Sequence, residues 1–232
     1  MELGILGWPA SGKTTLFGAL TGQLPDLMSS ETHRAVVKVP DPRVNELSAR
    51  FQPQKTNWAE VVFVDPVGER NPMVERPSFP ETLLAAVREV DALVLVIRAF
   101  DDPAVPRPPG SKSPQADLLA VEQELLLGDY ERVEKRLKRL AKEGRKPEFA
   151  AEQAVLEKAM AQLDAEQPLR QLDWSEGEQA ILRGFQFLSL KPVMVVYNID
   201  EAALGQAPEP AADTPGSRME LRLCARFEKE LL

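Results

Sequence analysis

The residues best suited to bind a charged ligand lie in a glycine-containing stretch near the N-terminus, Gly7 to Thr14, which reads GWPASGKT. This stretch fits the pattern G-x-x-x-x-G-K-[ST], and it follows a short apolar run and precedes a helical pattern. Its glycines allow backbone N–H groups to turn toward phosphate oxygens, and the following helix N-terminus adds partial positive charge. The pattern predicts that Lys13 contacts the β- and γ-phosphates of a nucleotide and that the Thr14 hydroxyl coordinates Mg²⁺. The predicted phosphate-binding residues are Gly7, Trp8, Pro9, Ala10, Ser11, Gly12, Lys13, Thr14 and Thr15.

Two questions about this stretch stay open from the residues alone. A glycine-rich turn can simply connect a strand to a helix, with the Lys13 side chain solvated. Trp8 either shields the phosphates or covers the beginning of the helix. The position of the pattern, directly after an N-terminal strand, favours nucleotide binding.

A second group of candidate residues follows the apolar run VVFV, at Asp65 and Gly68. In phosphoryl-transfer proteins an acid at such a position holds the Mg²⁺ shell, and the glycine N–H of D-x-x-G approaches the γ-phosphate. The same spacing is also typical of an ordinary turn at the end of a strand. The predicted metal ligands are therefore Thr14 and Asp65, and the predicted contacts to the reacting phosphate are Lys13 and Gly68.

A third group lies after the apolar run PVMVVY, where Asn198, Ile199 and Glu201 follow a predicted strand. An Asn carboxamide can bond the edge of a purine, and an acid three residues later can accept from the N–H groups of the base. Cys224 and Ala225 end the last predicted strand, where a backbone N–H can touch the base. These residues predict a base-binding site for ATP or GTP.

Short apolar runs alternate with helical patterns along most of the chain. Because most of these runs are continuous rather than alternating, they favour strands buried on both faces of a parallel sheet. The alternation predicts an α/β fold of the P-loop NTPase type, with a doubly wound, mostly parallel sheet and ligands at the carboxyl ends of its strands. The predicted strands are Glu2–Leu6, Ala35–Val39, Ala59–Val64, Ala92–Ile97, Val193–Tyr197 and Met219–Leu223. The predicted helices include Lys13–Leu20, Pro42–Phe51 and Glu81–Val90.

The region 113–188 carries helical patterns and no predicted strand. Ser113 and Pro114 form a helix start, whereas Gly128 and Asp129 are expected to break that first helix. Apolar residues at heptad spacing form two stripes, which favour two antiparallel helices packed as a hairpin. The stripe residues are Leu126, Tyr130, Val133, Leu137, Leu140, Phe149, Leu156 and Leu163. Ser175 and Glu178 form a capping-box pattern that opens a further helix.

Composition excludes several classes of protein. A net charge of −8 argues against non-specific nucleic-acid binding by the whole molecule. The longest apolar runs are too short to span a bilayer, no secretory signal pattern is visible, and the single cysteine argues against an internal disulfide. These features predict a cytoplasmic protein with no membrane partner. His33, the only histidine, lies in a predicted polar loop where a surface role is favoured.

A set of basic residues in the first helix of the hairpin has a spacing of three or four, so its members share one face. This face is either a solvated coiled-coil surface, with glutamates interleaved, or a contact for RNA. The residues are Arg132, Lys135, Arg136, Arg139 and Lys142.

Three segments of the chain resemble the YchF/Obg-like ATPase family of translation-factor-class P-loop proteins. They are the GKTTLF…ALT opening, VVKVPDPRVNELSARFQPQKT, and AVLEKAM leading to FLSLKPVMVVYNIDE. The resemblance is close to continuous over the chain. It implies a G domain in two parts, 1–112 and 189–232, interrupted by a helical, coiled-coil-like domain at 113–188. It also implies ribosome association and a preference for ATP over GTP, since Glu201 matches the glutamate of the family's N-x-x-E pattern.

The chain departs from the family at residues that bear on hydrolysis rather than on binding. Ala10 stands where the family has Asn, and the acid Glu69 stands where a hydrophobic residue usually follows D-x-x-G. Glu69 could orient a water, but it also brings negative charge near an anionic phosphate. Prolines such as Pro72 and Pro77 replace flexible glycines, and the family's C-terminal TGS domain has no counterpart in these 232 residues. Slow hydrolysis is therefore expected.

Three classes of function fit these observations to different degrees. The first is an ATP-hydrolysing switch that cycles on the ribosome, and the second is a nucleotide-gated binding module whose hydrolysis is vestigial. A small-molecule kinase would share the phosphate-binding stretch but not the DPR segment or the N-x-x-E pattern. The sequence leaves the first two classes open.

Overall fold

The computed structural model describes residues 1–23, 32–66, 78–107, 110–143, 149–206 and 218–231. The predicted catalytic residues Gly68 and Glu69, together with Pro72 and Pro77, lie outside the described residues.

A six-stranded sheet forms the centre of the molecule, in the order β2-β3-β1-β4-β5-β6. Its strands are β1 (Glu2–Leu6), β2 (His33–Lys38), β3 (Glu60–Asp65), β4 (Ala92–Ala99), β5 (Val193–Ile199) and β6 (Met219–Leu223). The edge strand β2 pairs antiparallel with β3, and the other neighbours pair in parallel. The predicted mostly parallel sheet is confirmed.

The helices of the described residues are α1 (Lys13–Thr21), α2 (Pro42–Phe51), α3 (Glu81–Arg88), α4 (Pro114–Glu143), α5 (Ala150–Asp164), α6 (Glu176–Arg183) and α7 (Ala225–Glu230). Helices cover both faces of the sheet. In β4, Leu93 and Leu95 belong to a core cluster with α3 and α4, whereas Val94 and Val96 belong to another with α1 and α7. This two-sided burial explains why the strand sequences are continuously apolar, and it confirms the doubly wound arrangement.

The second half of α4 packs against α5 and α6 around a separate core. That core contains the predicted stripe residues Val133 and Leu140 of α4 and Leu156 and Leu163 of α5, so the predicted helical hairpin is confirmed. The capping box at Ser175 is also confirmed, since its hydroxyl accepts from the Glu178 N–H and the Glu178 carboxylate accepts from the Ser175 N–H.

Helix α4 does not break at Gly128 and Asp129, and that prediction is wrong. The helix runs through both residues because tertiary contacts hold them in place. Asp129 is fully buried, and its carboxylate accepts from Arg88 Nη1 at 2.9 Å and from the backbone N–H groups of Leu188 and Ser189. The Gly128 carbonyl accepts from Arg88 Nη2 at 3.0 Å. Tertiary hydrogen bonds therefore override the low helix propensity of this pair.

The first half of α4 belongs to the sheet core rather than to the core of the hairpin. Leu118, Val121 and Leu125 pack with α3 and β4. The division of the chain at 113 and 188 stays a prediction, and the structure adds that one continuous helix contributes to both cores.

Two features near the edge strand differ from what the sequence favours. Helix α2 has the predicted bounds, but it buries no residue, and Leu47 and Phe51 are 55% and 72% exposed. His33 was expected in a polar loop, but it begins β2 and lies directly opposite Asp65 in the antiparallel register.

Candidate functional site

The phosphate-binding stretch forms the connection between β1 and α1, at the carboxyl end of the strand. Gly7 and Gly12 have positive φ angles of 156° and 95°. A Cβ at Gly7 would collide with the carbonyl oxygen of Val96, and a Cβ at Gly12 would collide with the carboxamide nitrogen of Asn198. Glycine is therefore required at both positions by the close approach of β4 and β5.

Lys13 is partly buried within this loop and contacts its backbone. Its ammonium group donates to the carbonyl oxygens of Gly7 at 2.8 Å and Trp8 at 2.9 Å. Burial lowers the pKa of Lys13 to about 8, against the opposing attraction of Asp65. An ammonium carries three N–H donors, and these two bonds leave one for a ligand oxygen.

Asp65 ends β3 next to the loop, where the residue is 5% exposed. Burial raises its pKa, while the charges of Lys13 and His33 and a side-chain hydrogen bond with Thr14 oppose the rise. The structure thus brings together the two predicted metal ligands, the carboxylate of Asp65 and the hydroxyl of Thr14.

The donor set fits Mg²⁺ bound together with a phosphate ligand. Magnesium prefers oxygen ligands and usually takes only one or two from the protein, with the rest from phosphates and waters. Ser11 is buried, and its hydroxyl has no hydrogen-bond partner among the described residues, so the loop also holds an unpaired polar group. In the described part of the chain no cluster of three or more acidic, Cys or His side chains forms an alternative metal site.

We expect nucleotide affinity to fall as the pH rises above about 8. Below that pH Lys13 is protonated and can pair with phosphate, whereas above it the free protein must take up a proton in order to bind. The dissociation constant should therefore increase by up to about tenfold per pH unit between pH 8 and 9.5. Titrations at successive pH values measure this effect. A Lys13→Arg variant, whose guanidinium stays charged over this range, should give a nearly flat profile, and a wild-type profile equally flat would contradict the assignment.

Asn198, at the end of β5, connects the phosphate-binding loop to the start of α7. Its Nδ2 donates to the Ser11 carbonyl at 3.1 Å, and its Oδ1 accepts from the Ala225 N–H at 3.0 Å. The residue is 6% exposed. A carboxamide nitrogen has two hydrogens, so one remains for a purine edge. Cys224 and Ala225 are predicted to offer a backbone N–H to the base, and of these two the Ala225 N–H is donated to Asn198.

The other residues predicted to bind the base flank Asn198 in different environments. Ile199 and Cys224 are buried, whereas Glu201 is exposed at the start of a short 3₁₀ helix, Glu201–Gln206. Asp200 is exposed, and its carboxylate accepts from the Asp101 N–H at 3.2 Å. Of these two acids, Asp200 is therefore bonded to a backbone N–H group, whereas Glu201 is exposed to solvent.

We expect Asn198→Ala to lower both stability and nucleotide affinity. The substitution leaves the buried Ala225 N–H and the Ser11 carbonyl without partners, at a cost of about 2–3 kcal/mol in the free energy of unfolding. Urea unfolding checks the stability, and a nucleotide titration checks the affinity. Asn45→Ala is the matched control, because the carboxamide of Asn45 accepts from Trp58 at the surface, and it should change stability by less than about 0.5 kcal/mol. Equal effects of the two variants would contradict the bridging role of Asn198.

The Trp8 side chain is 7% exposed and points away from the loop, toward α4. Its indole ring stacks on Phe79, with ring centroids 4.7 Å apart, and its Nε1 donates to the Asp117 carbonyl at 3.3 Å. These contacts were not expected from the sequence, because Phe79 and Asp117 carry no motif and lie 71 and 109 residues from Trp8.

The basic residues of α4 are largely engaged within the chain. Arg136 forms a bidentate pair with Glu152 of α5, with nitrogen–oxygen distances of 2.5 and 2.6 Å. Arg132 donates to the Phe185 carbonyl, and Arg139 lies 3.6 Å from Glu143. The ion pair of Arg136 with Glu152 therefore reduces the net charge that this face presents to a partner, whereas the Phe185 carbonyl only fixes the position of the exposed Arg132, which keeps its charge. No helix in the described ranges is long and apolar enough to cross a membrane.

A phosphate-binding loop of this kind between the first strand and the first helix of a parallel α/β sheet defines the P-loop NTPase class. No family model matches the sequence. The chain is 34% identical over 215 residues to Ribosome-binding ATPase YchF of Escherichia coli O157:H7, covering 89% of this chain and 59% of that protein. It is 30% identical over 245 residues to Ribosome-binding ATPase YchF of Bacillus subtilis (strain 168), covering 100% of this chain and 67% of the relative.

A solved structure supports the same relationship. The Schizosaccharomyces pombe YchF GTPase superposes with a TM-score of 0.77 at 28% sequence identity, over 100% of this chain and 67% of that one. The chain therefore belongs to the YchF/Obg-like ATPase family, as the sequence resemblance indicated. It spans 59–67% of the length of these relatives.

Proposed function

We propose that the protein binds a nucleoside triphosphate with Mg²⁺ and hydrolyses it slowly, as a regulatory switch that acts on the ribosome in the cytoplasm. The observation that carries the proposal is the meeting of Lys13, Thr14 and Asp65 at the loop between β1 and α1. The relatives' names, which state ribosome binding and ATPase activity, support the partner and the reaction.

Each site residue has a separate role in this proposal. Lys13 offers its third N–H to the β- and γ-phosphates, and backbone N–H groups of the loop and of the start of α1 hold the remaining phosphate oxygens. Pro9 has no N–H to offer, and the Ser11 N–H is donated to the Trp8 carbonyl. Thr14 and Asp65 would hold Mg²⁺. The ion, when bound, neutralises charge that develops on the phosphate oxygens during transfer. Gly68 and Glu69 are proposed to contact the γ-phosphate and to orient the attacking water.

Base selection is proposed to depend on Asn198 and Glu201. The free N–H of Asn198 can donate to a purine ring nitrogen, which both adenine and guanine offer. A carboxylate at Glu201 can accept from the adenine amino group. The chain has isoleucine rather than lysine directly after the Asn. We therefore propose that ATP binds more tightly than GTP, with Cys224 and Ala225 lining the base at the start of α7.

The contact with ribosomal RNA is proposed to use the outer face of α4. Because Arg132 and Arg136 are engaged in the hairpin, Lys135 and Lys142 are the residues of this set that we expect to contribute most to an RNA contact, with Arg139 beside them. Phosphate contacts of this kind position a protein without reading sequence, and they weaken as salt is added.

Steady-state phosphate release with and without ribosomes tests the proposed function. We expect a low basal rate with Mg²⁺–ATP, a lower rate with Mg²⁺–GTP, and an increase of roughly tenfold or more when ribosomes are added. A Lys55→Ala variant, changed at an exposed lysine, should behave like the wild type. Nucleotide binding with no phosphate release in either condition would instead identify a binding module whose hydrolysis is vestigial.

A further inference from the structure

A buried joint connects the phosphate-binding loop to the long helix α4. Trp8, the second residue of the loop, packs its ring on Phe79, and the two rings are nearly parallel with an interplanar angle of 22°. Both side chains are buried, with exposures of 7% and 8%. Stacked aromatic pairs of this kind contribute about 0.5–1.5 kcal/mol beyond their area burial. The pair is therefore a specific contact rather than a general apolar cover.

Both residues of this pair are also hydrogen-bonded to α4, Trp8 through its indole ring and Phe79 through its backbone. Trp8 Nε1 donates to the Asp117 carbonyl at 3.3 Å, and the Phe79 N–H donates to Glu124 Oε2 at 3.1 Å. Asp117 and Glu124 are seven residues apart, so they lie on the same face of the helix, two turns from each other. The aromatic pair thus lies between the phosphate-binding loop on one side and two successive turns of α4 on the other.

Helix α3 is bound to α4 at both of its ends. Phe79 lies two residues before α3 and bonds Glu124, and Arg88 at the end of α3 forms a buried ion pair with Asp129. Two packed helices that are tied at both ends should move together. The position of α3 and α4 relative to the phosphate-binding loop then depends on the contact between Trp8 and Phe79.

The loop end of the joint is tied to the residue that contacts phosphate. Lys13 donates to the carbonyl of Trp8 itself, so a phosphate that draws on the same ammonium group acts on the backbone that carries the Trp8 ring. A change in this backbone would move the Trp8 ring, which contacts Phe79 and the Asp117 carbonyl of α4.

We propose that the Trp8–Phe79 pair couples nucleotide occupancy to the position of α4, and so to the helical hairpin. The coupling rests on the proposed nucleotide binding. Helix α4 has 30 residues and is about 45 Å long. A tilt of about 5° at the joint would displace its far end by about 3 Å. By linkage, a partner that binds the hairpin changes nucleotide affinity by the same factor as the nucleotide changes affinity for the partner.

Hydrogen–deuterium exchange of the whole chain tests this coupling, with and without a saturating Mg²⁺ complex of a non-hydrolysable ATP analogue. In the wild type the amides of residues 117–129 should exchange at least about fivefold more slowly with nucleotide. Trp8→Leu and Phe79→Leu are each measured at a nucleotide concentration that saturates the variant. In both, the ratio of the exchange rates without and with nucleotide should fall below about twofold. Trp58→Leu is the matched control, since Trp58 bonds the surface residue Asn45, and it should keep the wild-type ratio.

The outcomes separate failure of the coupling from failure of the proposed function. Calorimetry on the same samples shows whether nucleotide is bound. If the wild type binds nucleotide and the exchange of residues 117–129 does not change, the coupling is wrong and nucleotide binding stands. If the change persists in both variants, the coupling is wrong as well. If the wild type binds no nucleotide, the proposed function fails, and the coupling fails with it.

Discussion

Replacing Lys13 with Ala should lower the affinity for Mg²⁺–nucleotide by roughly 100-fold or more, and the fold should stay intact. The substitution removes the cation that is proposed to pair with the β- and γ-phosphates, and charge-assisted hydrogen bonds of this kind contribute about 1.5–3 kcal/mol each. About 2.7 kcal/mol corresponds to a 100-fold change in the dissociation constant. Titration with a fluorescent nucleotide measures the effect.

The fold should tolerate this change because the Lys13 side chain contributes little to the core. Its two hydrogen bonds are to carbonyl oxygens of its own loop, and burial already disfavours its charged form. Lys55→Ala is the control, because Lys55 is exposed and lies in another part of the chain. Circular dichroism establishes that each variant is folded. A folded Lys13→Ala variant with wild-type affinity would disprove the phosphate-binding assignment.

Replacing Asp129 with Ala should lower the free energy of unfolding by about 3–5 kcal/mol, because it leaves the buried charge of Arg88 unpaired. The side chains of Arg88 and Asp129 are 6% and 0% exposed. The substitution also removes the acceptor for the N–H groups of Leu188 and Ser189. The loss should therefore affect the point where α3, α4 and the segment that returns to β5 meet.

Urea unfolding monitored by circular dichroism measures this effect. Asp129→Asn keeps an oxygen acceptor but loses the charge, so its stability should lie between those of the wild type and Asp129→Ala. Asp164→Ala, at the exposed end of α5, is the control and should change stability by less than about 0.5 kcal/mol. A loss below about 1 kcal/mol for Asp129→Ala would show that the buried pair does not stabilise this junction.

The strands and the phosphate-binding loop could be predicted from the sequence because their signals are local. Continuous apolar runs mark strands buried on both faces, and the glycine and lysine spacing of Gly7 to Thr14 marks the loop. The meeting of Lys13, Thr14 and Asp65 follows as well, because parallel neighbouring strands such as β1 and β3 end at the same edge of the sheet.

The features that could not be predicted depend on contacts between distant segments. Local propensity predicts a break at Gly128 and Asp129, but a buried Arg88 satisfies both residues and the helix continues. The orientation of Trp8 depends on Phe79, which no motif identifies. The Asn198 bridge requires Ser11 and Ala225, which are 187 and 27 residues away. Each of these contacts is visible only when the fold brings its partners together.

Calorimetric titration of the 232-residue chain with a non-hydrolysable nucleotide and Mg²⁺ tests the central claim most directly. The proposed site predicts one nucleotide bound per chain, with the ATP analogue about tenfold or more tighter than the GTP analogue, and loss of the binding heat in Lys13→Ala. Tighter binding of the GTP analogue would contradict the base assignment to Glu201. The absence of binding by either nucleotide, in a folded wild-type chain, would contradict the account as a whole.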